Sequence, residues 1–356
     1  MTRIALIGDG QSPHLLKWAR ALTAAPGVSL WVASSRGFLP AFDDLVPPER
    51  RLALGTRAHH AGGNVGVLRS LPQLGRWLRQ VDADWLNPHY LTSHGTLAWL
   101  AKRFWGLRAR ILGSAWGSDI LVTPQQSAMY RTLTRRVLRA CTLCTSDSMH
   151  MTARMQALGA AEVMTFPFGL EALPPVPGEK TPWLFFSNRG LEPLYRPDRV
   201  LTLFARVLSA RPEARLVVAN DGSLRGALEH QALALGMAHA VQFVGRLDPA
   251  TQARWYERAQ WYVSLPASDS VAVSVLEAMA HGCIPLLSDL PANRELVRDD
   301  DNGRIVGEAV DAKALQTLLP RGADIAAANR AWVARNALFP PAVGRLLDRL
   351  DGWPAP

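Results

Sequence analysis

Short runs of apolar residues alternate along the first half of the chain with stretches whose apolar positions recur every three or four residues. The runs predict strands, and the three-to-four spacing predicts helices that bury one face. Strands are predicted at 3–8, 28–34, 85–87, 110–114 and 143–146, with helices that include 14–24 and 96–104. Strands that alternate with helices of about 10–15 residues indicate a parallel sheet in a doubly wound α/β domain.

The pattern breaks once and then starts again. Residues 166–178 include four prolines and two glycines, a composition that supports neither a helix nor a central strand. Beyond them, strands are predicted at 183–187, 215–219, 241–244, 261–264 and 284–288, and helices at 200–209, 226–235, 251–259 and 274–281. The sequence therefore predicts an N-terminal domain, a Pro-rich linker, a second α/β domain and a helical segment, at 1–168, 169–180, 181–330 and 331–356. Two such domains facing each other form a cleft, with ligands at the carboxyl ends of the strands.

Composition and charge narrow the class of protein. Of the 356 residues, 48% are apolar and 19% are charged, which is enough for full-sized cores. No apolar run reaches the ~18–20 residues of a membrane span. The N-terminus shows no secretory signal, so we expect a cytoplasmic protein. Residues 1–170 carry 19 Lys and Arg against 9 Asp and Glu, whereas residues 171–356 carry 20 against 21. This asymmetry favours an anionic partner for the first domain.

Two short clusters have both a metal or redox interpretation and a simpler one. Cys141 and Cys144 form a C-x-x-C pair, but the three cysteines of the chain make neither a disulfide framework nor a four-ligand zinc site. A short buried strand explains the pair as small apolar residues. The acidic run 299–301 stands beside Asn-Gly, which is typical of a solvated turn. We therefore expect no metal site.

The segment 268–285 carries the most specific chemistry. It is a polar loop followed by a predicted helix and an apolar strand. Free amides at a helix start hold phosphate, helped by the helix dipole; here they belong to Val273, Ser274 and Val275. Asp269 precedes this helix and Glu277 lies about one turn inside it, so both carboxylates can face one extended ligand. A buried carboxylate can accept two ribose hydroxyls. On spacing alone, a capping Asp and a surface Glu explain the same two positions.

Loops after other predicted strands carry further candidates. The loop 8–14, Gly-Asp-Gly-Gln-Ser-Pro-His, lacks the third glycine of a dinucleotide-binding loop, and the second strand ends at Arg36 without an acid. An NAD site is therefore not predicted. Polar or aromatic candidates follow the other strands: His89, Trp116, Asp119, Arg189, Arg196 and Arg246. Arg suits bidentate phosphate contact, although surface arginines, a structural His and a turn-capping Asp explain them too.

The segment 268–285, with its Glu277-Ala-Met-Ala-x-Gly, resembles the E-x7-E region of the retaining glycosyltransferases of family 4. The first acid is Asp269 where the family has Glu, which shortens its reach by one methylene. The resemblance runs from Ile4 to about Val306 and takes in the glycine loop, the Asn-Pro-His-Tyr and Trp-Gly-Ser-Asp segments and Arg189. It implies the GT-B architecture, in which two Rossmann-like domains face across a cleft and a C-terminal helical segment crosses back to the first.

The resemblance also implies roles for individual residues. The implied catalytic residues are Arg189, Arg196, His89 and Asp269. The implied donor-binding residues, with Glu277 on the ribose, are Gly10, Gln11, Arg189, Arg246, Val273, Ser274, Val275 and Glu277. On the acceptor side, in the first domain, they are His14, Trp116 and Asp119, the last of which either contacts the acceptor or caps a turn. Two fixed cations suit a diphosphate site that uses no metal.

These residues together predict retaining transfer of a sugar from a UDP- or GDP-sugar to a glycan, with no cofactor. The resemblance favours a lipid-linked acceptor in the synthesis of a cell-surface polysaccharide or glycoconjugate. A GT-B epimerase or phosphorylase, or a non-catalytic sugar-nucleotide-binding protein, is the alternative. No nucleic-acid partner is expected.

Arg stands beside aromatic residues in the segments 68–79, 102–110 and 130–139. This pattern predicts peripheral docking of the first domain on the anionic inner face of the membrane. Amphipathic helices with Trp in the core and Arg in water explain the same pattern.

Overall fold

The computed structural model describes residues 1–56, 65–307 and 312–354 and contains two parallel sheets, each in its own α/β unit. Unit 1 comprises Met1–Phe166 and Phe339–Pro356, and unit 2 comprises Pro167–Leu338. The predicted fold class, two Rossmann-like α/β domains, is confirmed. The segment predicted as a linker, 169–180, lies in unit 2, and the C-terminal segment 331–356 is divided between the two units.

Unit 1 places its first strand third in a sheet of seven. The order is β3-β2-β1-β4-β5-β6-β7. Its elements are β1 (Thr2–Gly8), α1 (Pro13–Ala24), β2 (Val28–Ser34), β3 (Arg51–Ala53), α2 (Leu71–Val81), β4 (Trp85–Pro88), α3 (Thr96–Trp105), β5 (Arg110–Ser114), α4 (Ser118–Leu121), α5 (Thr123–Gln126), α6 (Ala128–Ala140), β6 (Leu143–Ser146), α7 (Met149–Ala157) and β7 (Val163–Thr165). A π-helical segment, Tyr90–Gly95, joins β4 to α3.

Unit 2 repeats the plan with the order β10-β9-β8-β11-β12-β13. Its elements are β8 (Thr181–Ser187), α8 (Pro197–Ala210), β9 (Arg215–Ala219), α9 (Arg225–Ala234), β10 (Val241–Gly245), α10 (Pro249–Arg258), β11 (Ala259–Ser264), α11 (Val273–Ala280), β12 (Ile284–Ser288), α12 (Pro291–Leu296), β13 (Arg304–Val306), α13 (Ala312–Gln316) and α14 (Gly322–Asn336). The last helix, α15 (Phe339–Asp351), belongs to unit 1.

The strand order reverses beside the first strand of each unit. In unit 1 the chain adds β2 on one side of β1 and later β4 on the other; in unit 2 it adds β9 beside β8 and later β11 on the other side. At such a reversal the loops leave in opposite directions and open a crevice at the carboxyl ends of the two strands. The loops after β1, β4, β8 and β11 are therefore where ligands are expected.

The sheet of unit 2 separates two buried apolar clusters. Adjacent residues of β8 point to opposite faces, so Phe185 packs on Phe204 and Trp261, whereas Phe186 packs on Tyr256. Both clusters are closed by helices of the same unit. This packing makes the carboxyl edge of β8 and β11 a rigid support for the loops that follow.

The chain passes from unit 2 back to unit 1 at Ala337 and Leu338. The Leu170 N–H donates to the Ala337 carbonyl over 2.9 Å, and a Cβ on Gly169 would lie 1.8 Å from that oxygen, so only Gly fits there. Helix α15 begins at Phe339, so Pro340 and Pro341 lie in its first turn, where prolines lack only N–H groups that no carbonyl would accept.

Candidate active site

Arg189 is the centre of a polar cluster at the carboxyl edge of the unit 2 sheet. It lies two residues beyond the end of β8, and its Nη2 lies 2.6 Å from the Asp269 Oδ2, on the loop after β11. Its Nη1 donates to the Ser274 Oγ over 3.3 Å, and its guanidinium lies 4.4 Å from the centroid of the Tyr195 ring. The side chain is only 17% exposed. Arg189 is therefore a cation held in one orientation by an acid, a hydroxyl and a ring.

The charges of this ion pair are set by burial and by each other. Burial raises the pKa of the Asp269 carboxyl, and the Arg189 charge opposes that rise. Burial lowers the pKa of Arg189, but Asp269 and three neighbouring tyrosines outweigh it and leave that pKa above its ordinary value. The guanidinium therefore stays charged. Its Nε, buried and without a hydrogen-bond partner among the described residues, shows that the pair does not use all of its donors.

Helix α11 begins beside this pair. Ala272 is its N-cap and supplies no side-chain acceptor, and the first amides of a helix have no partner within it. The Val275 N–H already donates to the Ala272 carbonyl over 3.0 Å, which makes the amides of Val273 and Ser274 the better candidates for an anion. At the other end of α11, Lys180 and Arg330 donate to helix-end carbonyls. Cations thus balance the negative, C-terminal end of the helix dipole, and an anion would be stabilised at its positive, N-terminal end.

Glu277 lies on the same face of α11 as Ser274, one turn further along. Its Oε2 accepts the Tyr256 hydroxyl over 3.0 Å and the Gln252 Nε2 over 3.4 Å. Tyr256 and Gln252 are one turn apart on α10, so one helix supplies both donors. The structure therefore brings together four of the predicted residues: Arg189, Asp269, Ser274 and Glu277.

Three residues that the sequence analysis missed connect the two ends of this cluster. Asn188 donates its Nδ2 to the Tyr256 Oη over 2.7 Å, and its Oδ1 accepts the Tyr262 hydroxyl over 2.8 Å. The Tyr262 Oη lies 2.8 Å from the Ser274 Oγ. All three side chains are buried, and burial raises the pKa of both tyrosines, so both hydroxyls stay protonated. The sequence contained one signal for this network: Tyr262 lies inside a predicted buried strand, and a buried hydroxyl needs a hydrogen-bond partner.

Two other predicted cations do not join this cluster. Arg196 has a left-handed backbone, with φ of 47°, and its Nη2 pairs with the Asp198 Oδ2 over 2.8 Å. It is about a third exposed. Arg246 follows β10 and is exposed. Their catalytic and donor-binding roles remain predictions.

In unit 1, His89 and Trp116 form a second group at the carboxyl ends of β4 and β5. The Trp116 indole N–H donates to the His89 Nδ1 over 3.0 Å, so the His89 proton is on Nε2, which lies 3.2 Å from the Asn87 Oδ1. Burial lowers the pKa of His89 well below its ordinary value, with smaller contributions from His94 and His14. His89 is therefore neutral, and both of its ring nitrogens have partners within unit 1. His14 lies beside this pair, with its ring centroid 4.7 Å from that of Trp116.

Asp119 is 2% exposed and accepts two backbone N–H groups. These are the N–H groups of Trp116, over 2.9 Å, and of Leu91, over 2.7 Å. Burial raises the pKa of the carboxyl to about 6, against the opposing effect of these bonds. Of the two alternatives, the geometry favours the turn cap, because the carboxylate ties the Trp-Gly-Ser-Asp loop to the π-helical segment.

The glycine loop after β1 is shaped by close backbone contacts. The Gly10 N–H donates to the Ser34 Oγ over 2.8 Å, and a Cβ on Gly10 would lie 2.6 Å from the Gly37 carbonyl oxygen. Gln11 is exposed. Asp9, which the sequence analysis did not select, is paired with Arg36. The loop is built for close approach, while a ligand there remains a prediction.

The C-x-x-C pair and the acidic run, the two clusters that could suggest a metal or redox site, both have ordinary structural explanations. Cys141 and Cys144 are buried free thiols, and both sulfur atoms lie close to where a Cβ on Gly113 would stand. The side-chain hydrogen bond between the two thiols, together with burial, raises the pKa of Cys144 well above its ordinary value. The acidic run 299–301 pairs with Arg304 and Arg321. Among the residues that the structure describes, no group of three or more His, Cys, Asp and Glu could hold a metal ion.

Comparison with known protein families covers both units. Residues 171–321 match the family model described as glycosyl transferases group 1, and residues 3–148 match the one described as glycosyl transferase 4-like. The two matches leave residues 1–2, 149–170 and 322–356 outside.

The individual relatives share at most about a third of their aligned residues with this chain. The chain is 27% identical over 256 residues to D-inositol 3-phosphate glycosyltransferase 2 of Catenulispora acidiphila, which is 63% of this chain and 58% of that protein. It is 30% identical over 179 residues to the GDP-mannose:cellobiosyl-diphosphopolyprenol alpha-mannosyltransferase of Xanthomonas campestris, 45% of this chain and 43% of that protein. The matched segments thus span less than two thirds of either relative.

Among solved structures, the fold is similar to that of Anabaena HepE in complex with UDP and glucose. The TM-score is 0.80 at 13% identity, over 99% of this chain and 100% of that chain.

Proposed function

Since the chain belongs to the family-4 glycosyltransferases of GT-B architecture, we propose that it transfers a sugar from a nucleotide-diphosphate donor to a glycan acceptor with retention at the anomeric carbon. The acceptor is lipid-linked, and the product enters a cell-surface polysaccharide or glycoconjugate. The donor is a UDP- or GDP-sugar, and the protein uses no cofactor.

One observation carries this proposal: a fixed cation, a helix start and a carboxylate lie in sequence along one edge of unit 2. Arg189 and the amides of Val273 and Ser274 supply positive charge for a diphosphate. Glu277, one turn along the same helix, can accept the ribose hydroxyls. A nucleotide diphosphate carries its phosphates and then its ribose in the same order, so its charges and hydroxyls match the site.

The chemistry that this site supports is charge neutralisation. When the bond from the sugar to the diphosphate breaks, negative charge builds up on the leaving phosphate, and preorganised donors there lower the barrier. Arg189 is preorganised by Asp269, Ser274 and Tyr195, so it needs no reorganisation at that moment. The acceptor oxygen then forms its bond to the anomeric carbon on the face from which the phosphate leaves, which gives retention, and the leaving phosphate accepts the proton of the acceptor hydroxyl. Arg196 adds a second cation if it exchanges Asp198 for the phosphate.

A phosphorylase of this fold would need a lysine to hold pyridoxal phosphate. Unit 2 contains Lys180 and Lys313. The Lys180 ammonium donates to the carbonyls of Tyr256 and His281, and Lys313 is exposed. Neither residue is placed for a Schiff base, which favours the transferase.

The proposal of a membrane-borne acceptor rests on unit 1. Its helices α2, α3 and α6 lie side by side, with α3 in contact with both others. None of the three contains an acidic residue, and they carry Arg76, Arg79, Lys102, Arg103, Arg131, Arg135, Arg136 and Arg139. We name this surface the basic face. Within the described part of the chain, every helix is too short or too polar to cross a bilayer, so contact with lipid would be peripheral.

The tryptophans beside these arginines have another use. Trp77 packs against the core of unit 1, and Trp105 lies where a side chain on Gly75 would stand. The large apolar side chains that the basic face does expose are Phe104 and Met129, each 67% exposed. Lipid contact would therefore depend on arginine charge, with Phe104 and Met129 as the apolar contribution.

A thermal-shift screen with UDP-, GDP- and ADP-sugars tests the donor. At about 100 times its dissociation constant, a true donor should add ~2.7 kcal/mol to the stability. Glu277→Gln, which keeps the shape of the side chain, should lose most of that gain while its unliganded melting temperature stays close to wild type. Arg345→Gln, on α15 of unit 1, serves as the surface control. If no nucleotide sugar shifts the wild-type protein, or if Glu277→Gln responds fully, the donor assignment is wrong.

A further inference from the structure

The carboxylate of Glu277 is held from behind by a buried tyrosine. Tyr256 is 1% exposed, and its hydroxyl lies 3.0 Å from the Glu277 Oε2. The Ser274 carbonyl, at 3.2 Å, is the competing acceptor for the single hydroxyl proton. An ionised carboxylate is the stronger acceptor, so the proton points to Glu277.

Asn188 determines which way the Tyr256 hydroxyl faces. Its Nδ2 donates to the Tyr256 Oη over 2.7 Å, and its Oδ1 accepts from Tyr262. Because an amide nitrogen can only donate, the Tyr256 oxygen must accept from Asn188, and the Tyr256 hydroxyl must donate its own proton to another group. Asn188 thus leaves Tyr256 as a donor toward α11.

The Tyr256 ring is fixed by packing that does not involve the hydroxyl. It is perpendicular to Phe186 at 5.0 Å and stacked on His281 at 5.5 Å between centroids. Its backbone carbonyl also accepts the Lys180 ammonium over 2.7 Å. A ring held on both sides presents its oxygen at one point, so loss of the hydroxyl would leave the ring where it is.

We propose that Tyr256, directed by Asn188, is a positioning residue that sets the Glu277 carboxylate for the two hydroxyls of the donor ribose. This inference rests on the proposed function, because it takes Glu277 as the ribose contact. The expected consequence is selectivity for ribose. A carboxylate that is held through its Oε2 can accept hydrogen bonds from the cis-diol of ribose in one orientation. A carboxylate free to rotate gives up part of that preference for ribose over a sugar that lacks both hydroxyls.

The test compares the nucleoside diphosphate that binds the wild type, UDP or GDP, with its 2′,3′-dideoxy analogue by calorimetry. Bonds to a charged group should make the wild-type protein favour the ribonucleotide by about 10-fold or more. Tyr256→Phe should reduce that ratio at least about 3-fold, mainly through weaker binding of the ribonucleotide.

Tyr262→Phe is the matched control. It also removes one buried hydroxyl from Asn188, and it has a similar cost in stability. Tyr262 contacts Ser274 instead of Glu277, so the selectivity ratio should stay within about 2-fold of wild type, whatever happens to the overall affinity.

The outcomes separate the two proposals. If the wild type binds neither UDP nor GDP, the proposed donor fails. If Glu277→Gln keeps the full preference for ribose, the assignment of Glu277 fails. If Glu277→Gln loses the preference and Tyr256→Phe keeps it, or if Tyr262→Phe loses it equally, Tyr256 is only a structural residue and the positioning role is overturned.

Discussion

Asp269 and Arg189 illustrate what a single shortened side chain does at the scale of residues. With Asp at this position, the carboxylate meets the guanidinium at 2.6 Å and both side chains are mostly shielded from water. Such a pair costs desolvation energy, and removal of one partner leaves a buried charge. We interpret Asp269 first as the group that orients Arg189. A contact with the transferred sugar, as the family resemblance implies, remains a prediction.

The two arginines of the predicted diphosphate site should differ in importance. Arg189→Ala should lower kcat/KM for the donor by about 100-fold or more, the usual cost of losing a preorganised charge at the transition state. Arg196→Ala should cost less than about 10-fold, because its partly exposed guanidinium is already paired with Asp198.

Activity should also persist in excess EDTA, since the cations do the work of a divalent ion. Steady-state kinetics of both variants, with and without EDTA, check this. A larger loss for Arg196→Ala would reverse the assignment, and loss of activity in EDTA that magnesium or manganese restores would contradict metal-free catalysis.

At the scale of elements, buried polar side chains join loops to helices. Asp119 connects the loop after β5 to the π-helical segment, and the Asn87 amide reaches the Leu112 carbonyl and the Ser114 Oγ of β5. His89 and Trp116 are held between these connections. Tyr90, next in the chain, has a left-handed φ of 61°, a strain that surrounding structure must hold in place. The carboxyl edge of the unit 1 sheet is therefore a fixed surface, as a binding site requires.

The buried Asp119 carboxyl should make stability depend on pH. Its pKa is about 6 in the folded protein, above the ordinary value of 3.8, so the folded state holds the proton more tightly. The stability that this contributes is fully present below about pH 3.8 and is lost as the pH rises through 6, an effect on the order of 3 kcal/mol.

Asp119→Asn does not titrate. The difference in melting temperature between wild type and Asp119→Asn, with the wild type higher, should therefore be larger at pH 4.5 than at pH 7. Differential scanning calorimetry at both values measures it. A difference that is constant, or that grows with pH, would show that this carboxyl is not the titrating group.

At the scale of the whole molecule, charge and chemistry are divided between the units. The excess of basic residues lies in residues 1–170, and the basic face gathers much of it on adjacent helices. Unit 2 is close to neutral and carries the candidate donor site. A surface of several cations is attracted to anionic lipid by roughly 1 kcal/mol for each, which gives reversible and salt-sensitive attachment.

Vesicle sedimentation tests this division. The protein should bind anionic vesicles at low salt, release at high salt and ignore neutral vesicles. The double variant Arg135→Glu/Arg136→Glu, on α6, should bind at least about 10-fold more weakly. Arg199→Glu/Arg215→Glu, with the same change of charge on exposed positions of unit 2, should bind like the wild type. Equal losses in both variants would mean that net charge, and not the basic face, governs attachment.

The sequence by itself determined the class of fold and predicted the residues of the candidate site. The alternation of apolar runs with helical spacing is a local property, since each element must bury its own face, so most strands could be predicted. The strands β3, β7 and β13 have three residues each, too few for a period to appear, and they were missed. Arg189 and Glu277 could be selected because each stands at a strand end or a helix start.

Only the tertiary structure decided how those residues work. Tyr262 is 74 positions from Asn188 and Tyr256 is 21 from Glu277, and no local pattern relates them. The order of strands in the sheet brings β8 beside β11, and with it Arg189 beside Asp269. In the same way, burial and two backbone N–H groups favour Asp119 as a turn cap. Trp77 and Trp105 pack inside unit 1 and so are not apolar contacts of the basic face. Hydrogen bonds and desolvation depend on neighbours in space, which the chain acquires only when its strands are paired.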